Sequence, residues 1–418
     1  LETFLVSTLG KGVVRAKDTP NFIANRIGTF AFMSALQRVM EEAYLIEEAD
    51  KILGPAMGKP KSAMFRTADI AGIDTLAHVV KNTYDNCPKD EQRAVFVMPD
   101  VVKQMIAKGW TGDKAGQGFY KKEKSAEGKK ILAIDLKTGE YRPQQEVKFA
   151  SLKAAKGIEA VGERIKAVVN GDDRAAEFAW KSTRDTLIYT ASRIPEIADD
   201  IVNVDNAMRW GFNWDLGPFE LLDAIGLKET VERIKKDGLQ VPALFTQVLE
   251  KGEGVFYKNK EGRRYYFDLK SNSYQAVPTK PNILLLKSLR EQNRVMKSNA
   301  SASLIDLGDG VLCLEFHSKM NAIDADIALL GFEALEKIKN ENLSGLVIAN
   351  QGENFSVGAN LMLIWLESQQ GNWKNVEEMV RQFQNFCMQL KYSPKPVVAA
   401  PFGLTLGGGC EFSIHCDR

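Results

Sequence analysis

The amino-acid sequence predicts a mainly α fold: two related all-α domains followed by a partial α/β domain. Three observations carry this. Residues 20–50 place apolar side chains three and four apart, the spacing of one helix face. The chain also matches itself at a fixed offset: Phe65, Asp69 and Gly72 of FRTADIAGID recur as Phe219, Asp223 and Gly226 of FELLDAIGLK, 154 residues on. Beyond residue 302 the pattern changes to short apolar runs alternating with an amphipathic helix, as in a strand–helix–strand unit. Four segments are expected: 1–145 as the first helical copy, 146–285 as the second, 286–302 as a linker, and 303–418 as the N-terminal part of the α/β domain.

Taken in order, VVRAKD at 13–18 reads as a short β-like run. Pro20 stands just before FIANRIGTFAFMSALQRVMEEAYLIEEA, where its fixed φ and missing N–H suit a helix start. Residues 98–108 predict another helix, GWTGDKAGQGFYKK a glycine-rich loop, and KKEKSAEGKK a solvated loop. Helices are expected again at 183–202 and 218–236. GQGFYKK at 116–122 returns as GEGVFYKN at 252–259. ANRI at 24–27 and ASRI at 191–194 read as one more matched pair, setting Asn25 against Ser192. KSLREQNRVMKSNASAS is a charged, partly helical connector. ASLIDLGDGVLCLEF is two β runs around Gly-Asp-Gly, a hairpin signal. DADIALLGFEALEKIKN is an amphipathic helix, and LSGLVIAN and KPVVAAPFG are buried strands.

Composition narrows the function. Lys and Arg number 55 against 54 Asp and Glu, a net charge of +1, so no field favours nucleic acid or an anionic membrane. Cysteines 87, 313, 387, 410 and 416 form no CxxC pair, which suits a reducing compartment and a cytoplasmic protein. Three histidines make a His-rich metal site unexpected. No apolar run approaches the ~18 residues of a spanning helix, so membrane insertion is not expected. The chain opens on Leu1 rather than Met, and both ends read as cut from a longer polypeptide.

Chemistry concentrates near the C-terminus. In VVAAPFGLTLGGGCEF a β run leads through glycines into a helix start. Glycines allow close backbone approach, and a helix start offers unpaired N–H groups and a positive dipole end. Aimed at a carbonyl that gains charge, such donors form an oxyanion hole. Gly358 and Ala359 in ENFSVGANL are a second source of donors. Glu411, in the first helical turn, is placed to move protons. A plainer reading fits the same residues: the glycines pack a helix on a sheet, and Glu411 is a helix-terminal charge.

NFSVGANL, followed some fifty residues on by KPVVAAPFGLTLGGGCEFSIHCD, closely resembles the crotonase (enoyl-CoA hydratase/isomerase) family. The resemblance implies that the N–H groups of Ala359 and Gly408 polarise the thioester carbonyl of an acyl-CoA. It makes Glu411 one of two catalytic carboxylates, the second falling about twenty residues further on, past Arg418. The family's usual acid after Gly-Ala is Asn360 here, which bears on CoA contacts. AKDTPNFIANRIG, GPAMGKPKSAMFRTADIAGIDTLAHV and GWTGDKAGQGFYKK resemble the C-terminal helical domain of 3-hydroxyacyl-CoA dehydrogenases, and RWGFNWDLGPFELLDAIGL its second copy in multifunctional β-oxidation enzymes. That resemblance covers about 15–285. It implies a catalytic-site role for Asn25, whose amide both donates and accepts, and a structural role for the Ser192 copy.

The NAD-binding domain and its His–Glu pair precede this domain in the family, and no GxGxxG follows a strand here, so NAD is expected on a domain missing from this chain. His78, His317 and His415 are expected to be structural or surface groups. Lys59, Lys61 and Arg66 are weaker candidates for CoA phosphates. The expectation is a dehydrogenase–hydratase of fatty-acid β-oxidation taking acyl-CoA, a homodimer or larger homo-oligomer, with this chain inactive alone. A non-catalytic dimerisation scaffold and an enoyl-CoA isomerase are the rival readings. The half-domain at the end is expected to leave sheet edges and apolar surface bare, and so to be disordered or covered by a partner chain.

Overall fold

The computed structural model describes residues 1–125, 128–278 and 283–418, which fall into two units: Leu1–Lys258 with Tyr265–Val277, and Asn259–Arg264 with Pro278–Arg418. In the first unit Asn21 and Phe22 turn the chain through positive φ into helix Ala24–Glu41. The helical stretch expected over 20–50 is broken after Glu41, because Ala43 takes φ 54°, and a separate helix runs Ile46–Ile52. VVRAKD is not a strand; Arg15 N–H donates instead to Asn203 Oδ1 at 2.8 Å.

The duplication is visible in the contacts. Asp50 accepts from the N–H groups of Met64, Phe65 and Arg66, at the head of helix Phe65–Ala71, and from the Tyr120 hydroxyl at 2.8 Å. Asp205 does the same for Phe219 and Glu220, at the head of helix Pro218–Ile225, and for the Tyr257 hydroxyl, also at 2.8 Å. Negative charge at a helix N-terminus is favourable, and the buried donors need partners. Asp69 then accepts from Phe119 N–H and Tyr120 N–H at 2.7 and 2.9 Å; Asp223 accepts from Phe256 N–H and Tyr257 N–H at 2.7 and 2.8 Å. Each carboxylate ties a glycine-rich loop to a helix. Gly72 and Gly226 end those helices at φ 97° and 96°, a region closed to most side chains. Phe65 stacks edge-on to Phe119 at 4.8 Å, and Phe219 lies 4.9 Å from Phe256. All four rings are fully buried, each contributing about 2 kcal/mol or more by leaving water.

Two further expectations in this unit are corrected. KKEKSAEGKK is not a plain loop: it runs into strands Tyr120–Ser125 and Gly128–Ile134, paired antiparallel and joined by Tyr141–Pro143, with residues 126 and 127 outside the described residues. The pairing of Asn25 with Ser192 also fails. Asn25 is the second residue of its helix, whereas Ser192 is the last residue of helix Arg174–Ser192. The second residue there is Ala175, and the 154-residue offset reaches Ala179; both are fully buried. ANRI and ASRI are similar letters at opposite helix ends.

In the second unit five strands are ordered Val397–Ala399, Gly345–Ile348, Val311–Phe316, Ala302–Gly308, Val295–Ser298. The first three are parallel and the last two pairings antiparallel. Asp309 and Gly310 join Ala302–Gly308 to Val311–Phe316 at φ 53° and 74°, the two positive values of a tight hairpin turn. Helix Ala325–Asn340 covers the sheet, capped by the Asp324 carboxylate on Ile327 N–H. The segment expected as a connector is structured: it holds helix Leu286–Glu291 and the edge strand Val295–Ser298, because the antiparallel hairpin needs a partner for its outer ladder. The unit has its own apolar core around Leu314, Ile327, Ile348, Phe355, Phe386 and Phe412. Large apolar side chains also stand exposed, among them Leu361, Met362, Trp365, Trp373 and Ile414.

Candidate functional site

The two segments singled out near the C-terminus come together in the second unit. Ile323 N–H donates to Gly358 O at 2.8 Å and Asn360 N–H donates to Ile323 O at 3.0 Å, a parallel bridge that turns the intervening Ala359 N–H away. Ser356 pairs with Thr405 in the same manner, and Leu406 N–H donates to Ser356 O. These links draw the Gly358 loop onto the glycine turn. A Cβ placed on Gly358 would lie 2.8 Å from Leu406 O and 3.2 Å from Gly408 N, so only glycine allows the approach. Gly408 begins helix Gly408–Ser413. Among the described residues neither the Ala359 nor the Gly408 N–H has an acceptor. Two free donors on adjacent strands of chain are what a developing oxyanion requires.

Glu411 stands exposed one helical turn from Gly408, on the same helix face. Its charge reaches the Cys387 thiol, which burial first and Glu411 second push up to about 11. Gly409 serves the packing role: a Cβ there would meet Ser356 Cβ at 2.7 Å. The glycine run thus packs its helix on the Ser356 loop and leaves the Gly408 N–H without an acceptor among the described residues. Asn360 starts helix Leu361–Gln369 without a side-chain cap.

The sequence reading missed the residues that hold this loop. Fully buried Ser356 donates to Asn321 O and accepts from Gly358 N–H. Asn350 accepts from Phe316 N–H and donates to Phe355 O, both across buried bonds. A short polar residue inside an apolar run was the available signal in each case.

In the first unit Asn25 is exposed on the first turn of its helix, and its amide makes no hydrogen bond among the described residues. The residues on either side are anchored. Asn21 donates to Val79 O and Thr83 Oγ1. Arg26, with no exposed side-chain surface, donates to the Tyr189 hydroxyl at 2.6 Å and pairs with Asp90 at 2.7 Å. Arg193 pairs with Glu91 at 2.5 Å and Glu196 at 2.9 Å, 3.7 Å from Asp90. Despite burial, the Tyr189 hydroxyl and the arginines hold the Asp90 carboxyl below its usual range. Ser192, by contrast, donates its hydroxyl to Ile188 O, a bond internal to its helix.

The three candidate cations are not gathered. Lys59 lies 4.8 Å over the Trp214 ring, Lys61 is exposed, and Arg66 is held in a fork by Asp113 at 2.6 Å on both arms. His78 and His415 bond the carbonyls of Asp74 and Glu411 four residues back, and His317 bonds Asn299 O. For NAD the residues present do not fit. Parallel strands among the described residues lie only in the second unit, and no GxGxxG turn leads from one into a helix.

Fold and site together define a helical repeat followed in sequence by an α/β unit that carries two acceptor-free backbone N–H groups. Residues 22–122 match the family described as "3-hydroxyacyl-CoA dehydrogenase, C-terminal domain", and residues 306–418 match "Enoyl-CoA hydratase/isomerase". A Bacillus subtilis protein named "Probable 3-hydroxyacyl-CoA dehydrogenase" is 48% identical over all of this chain and 52% of its own length. A Rickettsia prowazekii protein whose name contains "fatty acid oxidation complex trifunctional enzyme" is 27% identical over 99% of this chain and 53% of its own length. A Deinococcus radiodurans protein, also named "Probable 3-hydroxyacyl-CoA dehydrogenase", is 43% identical over 32% of this chain and 38% of its own. The chain thus spans about half the length of the curated relatives it matches over its full extent. No helix among the described residues is long and apolar enough to cross a membrane.

Proposed function

We propose that this chain is part of a fatty-acid β-oxidation enzyme that joins NAD-dependent oxidation of 3-hydroxyacyl-CoA to hydration of trans-2-enoyl-CoA. One observation carries the reading: the acceptor-free N–H groups of Ala359 and Gly408 meet across a glycine contact, one helical turn from Glu411. Water adding to an α,β-unsaturated thioester pushes charge onto the carbonyl oxygen. Donors fixed beforehand hold that enolate without reorganising. Glu411 moves a proton between the water and the substrate carbon. A second carboxylate would come from the part of the enzyme beyond this chain, as would the NAD-binding domain. In the dehydrogenase half this chain contributes the Asn25 amide, whose free donor and acceptor suit a substrate oxygen or a neighbouring catalytic group. Domain boundaries near 145, 285 and 302, a cytoplasmic location and a homo-oligomeric enzyme complete the reading.

The test uses the full-length enzyme. Glu411→Gln is expected to lower hydration of a short enoyl-CoA by about 10²-fold or more and leave 3-hydroxyacyl-CoA oxidation within about twofold. Unchanged hydration would remove Glu411 from the site.

A further inference from the structure

Asn25 does not stand alone on its helix turn. The end of helix Ile201–Gly211, from the second copy, lies against it. A Cβ placed on Gly211 would be 3.2 Å from Ala24 Cβ, and one on Gly28 would meet the Phe212 ring at 2.2 Å. Ala24 precedes Asn25, and Gly28 lies one turn on, a surface neighbour of Asn25. Trp210, Gly211 and Phe212 therefore run along the first turn of the helix that bears the free amide. Only glycine at 28 allows the approach, because a side chain there would overlap Phe212. The Phe212 ring is used in this packing, and the Trp210 ring only in part. Gly12 covers one edge of the indole, where a Cβ would stand 2.5 Å from Cε3 and Cζ3, yet Trp210 stays 50% exposed. Phe22, two residues before the helix, is 57% exposed and held at φ 49°, a costly region for a bulky residue. One bare ring is ordinary on a surface. Two bare rings on the segments that flank an unpartnered amide fit a ligand with one polar anchor and an apolar remainder.

We propose that Trp210 of the second copy is the wall on which the acyl chain of a 3-hydroxyacyl-CoA lies when its oxygen meets Asn25. The indole then sets the chain-length preference of a site that the two copies share. The proposal rests on the dehydrogenase reading above. A hydrocarbon chain gains by leaving water for an indole face, and a longer chain covers more of that face. The second copy, which has no counterpart of the free amide, thereby takes part in choosing the substrate.

The full-length enzyme is assayed with 3-hydroxybutyryl-CoA and 3-hydroxydodecanoyl-CoA. The ratio of the two kcat/KM values, long over short, is compared between the parent and Trp210→Ala. The ratio should fall about 15-fold, the worth of about two buried methylenes at about fourfold each. Most of the change should sit in KM for the long substrate. Trp210→Phe keeps a smaller ring under Gly12 and should lose about threefold or less, which preserves the test if the alanine variant does not fold. An indole with only a structural role would lower both kcat/KM values together. An unchanged ratio, with or without lost activity, therefore overturns the proposal. A raised KM for NAD at an unchanged ratio overturns it too, and assigns the indole to the NAD-binding domain. No oxidation of either substrate by the parent fails the dehydrogenase reading, and the proposal with it. Oxidation by the parent with an unchanged ratio in the variants fails the proposal alone.

Discussion

In the first helical copy Asp50 and Asp69 clamp a helix head and a glycine-rich loop; in the second Asp205 and Asp223 do so with the same atoms and nearly the same distances. The leading helices are not alike. Ala24–Glu41 carries a bare asparagine amide on its first turn, where Arg174–Ser192 buries Ala175 and Ala179. The framework is the same in both copies, and the exposed amide is present in one. The copies are tied by a charge cluster in which Arg26 and Arg193 share Asp90 and Glu196.

The largest expected effect breaks that tie. Arg26→Met leaves the buried Asp90 carboxylate short of its main partner and should cost about 3–5 kcal/mol in denaturant unfolding. Arg193→Met should cost about 1–2 kcal/mol, because its partners Glu91 and Glu196 are half exposed, at 52% and 41%. Equal costs would deny that the first copy holds the deeper arginine. Next come the clamps. Asp69→Ala and Asp223→Ala each strand two backbone N–H groups, about 3 kcal/mol apiece. A difference above about 1.5 kcal/mol would show that the clamps are not equivalent.

The smallest effect is a pH slope. Burial, against its hydrogen bonds, pushes Asp50 up to about 6, and Asp205 is likewise raised, by burial and then by Glu220. A carboxyl whose folded pKa exceeds its unfolded one stabilises the fold below about pH 4, and that contribution is lost as the pH rises through about 6. Asp50→Asn should therefore remove about 1 kcal/mol of the stability difference between pH 5 and pH 7, measured by urea unfolding at both. An unchanged difference would return Asp50 to an ordinary acid range.

The sequence made the duplication legible because Phe65, Asp69 and Gly72 serve needs that both copies share: a core ring, a double acceptor, a positive φ. The donor pair was legible because glycine at 358 and 409 is demanded by close approach and at 407 by a φ of 46°. What failed was local likeness without context. ANRI and ASRI matched as letters, but their place on a helix is fixed by packing far outside four residues. The strand Val295–Ser298 read as connector because it is only four residues long and sits in a charged stretch, with no run of apolar alternation to mark it. Arg26 was hidden for a related reason: a charged residue is usually exposed, and only the partner residues Asp90 and Tyr189, distant in sequence, make its burial tolerable.

The most direct measurement is 3-hydroxyacyl-CoA oxidation by the full-length enzyme carrying Asn25→Ala or, separately, Ser192→Ala. Loss of about 10²-fold in kcat for Asn25→Ala, with unfolding unchanged and Ser192→Ala like the parent, is the predicted result. Full activity in Asn25→Ala, or an equal loss in Ser192→Ala, would contradict the assignment of chemistry to the first copy alone.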